Sequence, residues 1–211
     1  MVDLFGLLAY AELVAFFRLS EDAALAPSLG DKAALGGMAV AEFSHFDRMR
    51  AELERLGVDP VAAMQPFTAP LDAFHVRTAP ADWLEGLVKA YVGDGIAADF
   101  YRAAAQVLEP SARSLVLEVL ADTGHAQFAV ERVRSAIAAD PKVAGRLALW
   151  ARRLVGEALG EAQRVAALRP SLAHLLVGGM AAGGDLGEIG RMFAQLTDAH
   201  ARRMSELGLA D

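Results

Sequence analysis

Four carboxylates and two imidazoles stand where a helical protein ordinarily places apolar side chains. Glu12 falls in the stripe Leu8, Glu12, Phe16, Leu19. Glu42 and His45 fall in Leu35, Met38, Glu42, His45, Met49, Leu56. Asp94 falls in Leu84, Leu87, Tyr91, Asp94, Tyr101, Leu108. Asp122 and His125 fall in Leu115, Val119, Asp122, His125, Ala129, Val133. Each stripe repeats at three and four residues, the period of one helical face. An ionised carboxylate buried without compensation is costly, and four converging acids repel one another unless cations sit between them. Residues at i and i+3 share a face. Glu42 with His45, and Asp122 with His125, can therefore each direct an oxygen and a nitrogen at one point. Glu12 and Asp94 add a carboxylate from two further helices. Oxygen plus imidazole ligands suit iron or manganese. One acid from each of two helices, with an acid-x-x-His pair from each of two others, is the pattern of a dinuclear carboxylate centre. Two divalent ions would balance the four negative charges.

The composition narrows the donors. The chain has 211 residues, five histidines and no cysteine. Disulfides, thiolate metal sites and thiol nucleophiles are excluded. The spacing alone is weak, because Asp72 and His75 repeat it in a proline-rich stretch without a long apolar stripe. That pair reads as a decoy. His174 and His200 read as ordinary histidines. Asp99, nine residues before Leu108 on the stripe Val92, Ile96, Ala103, is an alternative to Asp94 or an outer partner of the site. Glu118, one turn before Asp122, is another alternate. Tyr91 and Tyr101 are candidate outer hydrogen-bond donors, or core aromatics. Glu157 and Glu161, with Arg153 and Arg164 nearby, read as a solvated charged face.

Six helices must position these residues. Alanine and leucine dominate, and no long run alternates as a strand does. The first helix runs from about Asp3 to Ala26, ended by Pro27. The second is capped by Asp31 and stops at Gly57. Residues 58–79, with Pro60, Pro66 and Pro70, read as a long crossover with short helical pieces. The third helix starts near Pro80–Asp82 and ends at Glu109–Pro110. The fourth begins near Ser111 and continues to Asp140. The fifth fills Pro141–Leu168, and the last runs from Asp185 to about Leu207. Two antiparallel hairpins joined by a long crossover form an all-α, ferritin-like four-helix bundle, here with two additional C-terminal helices. The expected organisation is a single domain over 1–211, with its four-helix core in 1–140 and the additional helices in 141–211.

The segments AYAELVAFF, AEFSHF, YVGDGIAADFY and DTGHAQF resemble the ferritin-like proteins related to bacterial tRNA hydroxylases, over about residues 1–140. Those enzymes hydroxylate a prenylated adenosine beside the anticodon. The resemblance implies a non-haem di-iron (or di-manganese) oxidase or hydroxylase that activates dioxygen and inserts one oxygen atom into its substrate. Carried over by position, the ligands are Glu12, Glu42, His45, Asp94, Asp122 and His125. Asp94 and Asp122 stand where the family pattern has glutamate, one methylene longer. The implied cofactors are two iron ions and an external electron donor, since no flavin or nicotinamide motif is present. The implied partners are tRNA or a small hydrophobic substrate and a redox partner protein, with a homo-oligomer allowed.

The formal charge of −7 makes a poor general nucleic-acid surface. Residues 132–169 carry eight basic and three acidic side chains. That stretch reads either as an RNA-backbone contact or, preferentially, as a helix whose arginine stems pack on apolar neighbours. The longest uncharged run, Pro170–Gly184, is too short to span a bilayer. A soluble cytoplasmic protein is expected. The competing expectation is a non-catalytic ferritin-like scaffold that has lost its metal.

Overall fold

Pro27 fixes the first turn of the chain. It forces Ala26 into an extended conformation, and α1 (Val2–Leu25) stops there. Ser28 then starts α2 (Leu29–Arg55), its hydroxyl accepting the Asp31 N–H at 3.1 Å. Ser28, not Asp31, is therefore the cap. Asp31 sits in the first turn, where it accepts from the Ser28 hydroxyl and from Arg132 Nε at 2.6 Å. The short loop makes α1 and α2 an antiparallel pair. Glu12 lies 13 residues before the end of α1 and Glu42 lies 13 residues into α2. The two carboxylates thus share one height.

This computed structural model describes residues 1–121, 124–169, 171–172 and 186–209. The remaining elements are α3 (Pro60–Arg77), α4 (Trp83–Ala105), α5 (Pro110–Val119), α6 (His125–Ala139), α7 (Lys142–Leu168) and α8 (Leu186–Leu207). The described residues form an all-helical, ferritin-like bundle. None of its helices is long and apolar enough to cross a membrane.

Two expectations are corrected. The crossover is one continuous 18-residue helix, α3, despite Pro66 and Pro70 inside it. Each interior proline removes a hydrogen bond and costs about 3 kcal/mol. Burial of Ala63, Met64 and Phe67 against α1 offsets that cost. Gly6 makes the approach possible, because a Cβ there would lie 2.3 Å from the Ala63 carbonyl oxygen. The fourth predicted helix, by contrast, is broken. It ends at Val119 and restarts at His125, with Gly124 at φ 97 between the two pieces. A left-handed residue cannot continue an α-helix. Asp122 lies outside the described residues, as does His174.

The core divides in two. One apolar cluster holds Leu4, Leu8, Phe46, Met49, Phe67, Ala104 and Val116. The other holds Leu19, Leu35, Ala39, Leu87, Val92, Val133 and Leu154. On α1 and α2 the division falls at the height of Glu12 and Glu42, and on α4 it falls between Ile96 and Tyr101, just past Asp94. Helix α4 contacts α1, α5, α6, α7 and α8, so it forms the wall that most of the bundle shares.

Much of the basic segment makes contacts within the protein. Arg146 pairs with Asp82 at 2.7 Å and with Glu85, and the Trp150 indole donates to the Glu85 carbonyl at 2.9 Å. Arg153 lies over the Trp150 ring and donates to the Arg77 carbonyl. Arg169 lies over Phe67. These contacts are ion pairs, carbonyl hydrogen bonds and guanidinium–ring contacts. The acids of the same helix are not simply solvated. Glu157 and Glu161 accept from Arg77 of α3 at 2.9 and 2.6 Å, and Glu161 is buried.

Candidate metal centre

Glu12 on α1 and Glu42 and His45 on α2 converge. One ligand atom from each lies within 4.8 Å of the others. His45 Nδ1 is 3.5 Å from Glu12 Oε2 and 3.4 Å from Glu42 Oε2. The atom is buried between these carboxylates, yet it makes no hydrogen bond. His125, at the first turn of α6, places Nδ1 3.1 Å from the other oxygen of Glu42. A cavity of about 440 Å³ opens on this group, with Asp94, Tyr101, Tyr91 and Asp99 also in its wall.

Asp94 is exposed, its side chain opening onto the cavity rather than packed in the core. Desolvation by the surrounding protein, with the nearby charge of Glu42, raises its carboxyl above the usual carboxylate range. Asp99 is occupied elsewhere. It pairs with Arg203 of α8 and with Arg102, so α8 is tied to α4 at the cavity wall. Glu118 is exposed and pairs with Arg48. Tyr91 donates to Glu206 of α8. Tyr101 is buried in the wall, and burial with the nearby charge of Glu12 raises its pKa. Asp72 accepts from Tyr10 at 2.6 Å, and His75 stands against Phe74, both outside the cluster.

The protonation pattern follows from burial and proximity. Burial drives the Glu12 carboxyl well above its ordinary pKa; His45 opposes this and Glu42 adds to it. Burial would also raise Glu42, but His125, His45 and Glu12 outweigh it and hold the carboxyl well below the usual range. Glu12 first, and then Glu42, raise the His45 imidazole to about 9. Metal-free, burial thus favours the neutral form of Glu12, while the neighbouring groups favour the ionised form of Glu42 and the protonated form of His45. An ion binding there displaces protons, since only the anionic carboxylate and the neutral imidazole are ligands. The donor set and the imidazole nitrogen left without a hydrogen bond both suit a divalent ion with oxygen and nitrogen ligands. The structure brings Glu12, Glu42, His45 and His125 together and adds Asp94 to the same cavity. Asp122 alone lies outside the described residues.

Sequence reasoning missed two basic side chains near this site. Arg203 arrives from the last helix, beyond the reach of any local pattern. Lys89 could have been noticed, because it interrupts the apolar run Leu87, Val88, Ala90 one turn before Gly93 and Asp94.

His75 has a separate consequence. Burial pushes its imidazole down to about 3. Between about pH 6.5 and 3 the unfolded chain binds a proton that the folded chain refuses. The stability associated with neutral His75 is thus complete above pH 6.5 and declines as pH falls through that window. Urea midpoints measured across it are expected to fall with acid, and to fall less steeply in His75→Phe. Identical slopes would contradict the assignment.

A helical bundle whose core is interrupted by carboxylates and imidazoles defines a ferritin-like protein. Residues 1–179 match the family described as ferritin-like domain of actinomycetes, and the chain belongs to that family. No curated protein matches the chain.

Proposed function

We propose that this protein is a dinuclear-metal oxidase or hydroxylase on a ferritin-like bundle, with iron as the resident metal and manganese as the alternative. The observation that carries this reading is His45 Nδ1, buried between two carboxylates at 3.4 and 3.5 Å without a hydrogen bond. A buried polar atom left unsatisfied asks for a missing partner. Glu12, Glu42, His45, Asp94, Asp122 and His125 are the proposed ligands. A pair of ions held there supplies the redox chemistry that activates dioxygen. The chain's own residues do the rest. Glu42 lies between His45 and His125 and so can orient donors from two helices. Glu12 and His45 release protons as ions enter. The apolar clusters above and below the polar layer limit water at the centre.

The cavity beside the cluster accommodates a small hydrophobic substrate. The sequence resemblance makes a prenylated tRNA nucleoside the first candidate. Electrons come from an external donor, through a redox partner protein, in the cytoplasm. Metal analysis after reconstitution with ferrous or manganous salts is expected to give about two ions per chain. Fewer than about one ion per two chains would overturn the reading. The substrate is tested by nucleoside analysis of a deletion strain, where hydroxylated prenyl-adenosine is expected to disappear from tRNA. An unchanged profile would remove tRNA from the proposal and leave the metal centre standing.

A second reading is a scaffold that has lost its metal, favoured by Glu42 lying 3.4 Å from His45 Nδ1 and 3.1 Å from His125 Nδ1, where the imidazoles can compensate the carboxylate without an ion. The same metal analysis separates the two readings.

A further inference from the structure

A second cavity, of about 240 Å³, adjoins the first and shares Asp94 and Tyr101 with it. Its walls come mainly from α1, α3, α4 and α7; apolar residues such as Phe74, Phe100 and Val165 form much of them, and Arg18, Glu21, Asp22, Lys89, Asp94 and Glu161 supply the charged part. Three residues in these walls carry a buried polar atom with no hydrogen-bond partner: Lys89 Nζ, His75 Nδ1 and Glu161 Oε1. Among the described residues only six side-chain atoms are in this condition, so half of them surround one cavity.

The three atoms are not equivalent. Glu161 is compensated, because its other oxygen accepts from Arg77 and Arg164, each at 2.6 Å. It is therefore not available to neutralise a cation. His75 is neutral near pH 7 and offers one hydrogen-bonding nitrogen. Lys89 is different. It is only 8% exposed, pairs with no carboxylate among the described residues, and has the Phe74 ring 5.9 Å away. Asp22, Asp94 and Glu21 act on it only at longer range, against Arg18. A buried ammonium without a hydrogen bond is expensive. A ligand anion would complete it.

We propose that this cavity binds a small apolar monocarboxylate, with its carboxylate on Lys89 and its hydrocarbon body against Phe74 and Phe100. At about 30 Å³ per non-hydrogen atom, the volume takes about eight such atoms, the size of hexanoate. The site is separate from the proposed metal ligands except at Asp94, so it can be tested without metal.

The test is a protein-observed NMR titration of the full chain in chelator at pH 7, where Lys89, with a pKa of about 8, is mainly charged. The probes are hexanoate, hexanol and hexylamine. Hexanoate is expected to bind at least about tenfold more tightly than either neutral or cationic probe. Lys89→Met is expected to erase that preference. Gly93→Leu is expected to block all three probes. A side chain at Gly93 enters open space, and leucine favours the helix, so this variant keeps its fold. Equal or tighter binding of hexylamine would overturn the proposal, as would a preference that survives Lys89→Met. So would the absence of shifts on adding hexanoate to the folded wild type.

Discussion

Glu12→Gln is expected to leave the metal-free protein almost as stable as the wild type and to abolish its stabilisation by ferrous or manganous ions. The two halves of this result have different causes. Without metal, burial raises the Glu12 pKa and favours its neutral form. Glutamine is its neutral isostere and keeps hydrogen-bonding capacity, so little is lost. With metal, the same change removes an anionic ligand from a group whose donors are all needed. A ligand present at about a thousand times its Kd stabilises the folded state by about 4 kcal/mol. That increment is what the variant should lose. Glu42→Ala should behave differently. It removes the ionised partner of both His45 and His125, 3.4 and 3.1 Å away, and should weaken the metal-free protein as well. Melting curves with chelator and with metal, for both variants, check the pair of outcomes. Retained metal stabilisation in Glu12→Gln would show that Glu12 is not a ligand.

Phe67→Ala is expected to destabilise the protein by about 3–5 kcal/mol. Phe67 is only 1% exposed and sits in the apolar cluster that joins α3 to α1. The cavity left behind could not close easily, because the α1 backbone at Gly6 already lies close against the α3 backbone at Ala63. Urea unfolding in chelator measures this loss apart from any metal effect. A change below about 1 kcal/mol would mean that α3 does not pack as described.

The corrected elements show what the sequence could and could not reveal. The stripes on α1, α2 and α4 were legible because each carries one polar interruption in a regular apolar face. The common height of Glu12 and Glu42 followed from the short loop after Leu25. The break between α5 and α6 was less visible. Asp122 and His125 have the i, i+3 spacing of one helix, but Gly124 lies between them with a left-handed backbone. Spacing counts residues and does not register a change of backbone hand. The prolines of α3 misled in the other direction. Local chemistry disfavours a helix there, and only burial against α1, a contact distant in sequence, reverses the balance. The same limit hid the Arg203–Asp99 and Arg77–Glu161 pairs, whose partners stand 104 and 84 residues apart in the chain, respectively.

The centre is tested most directly by anomalous diffraction at the iron and manganese edges, from crystals of protein reconstituted with each metal. The account predicts peaks bounded by Glu12, Glu42 and His45, with His45 Nδ1 or its ring partner bonded to an ion. Side chains in the same place with no anomalous peak between them, and the His45 nitrogen hydrogen-bonded to a carboxylate instead, would contradict it.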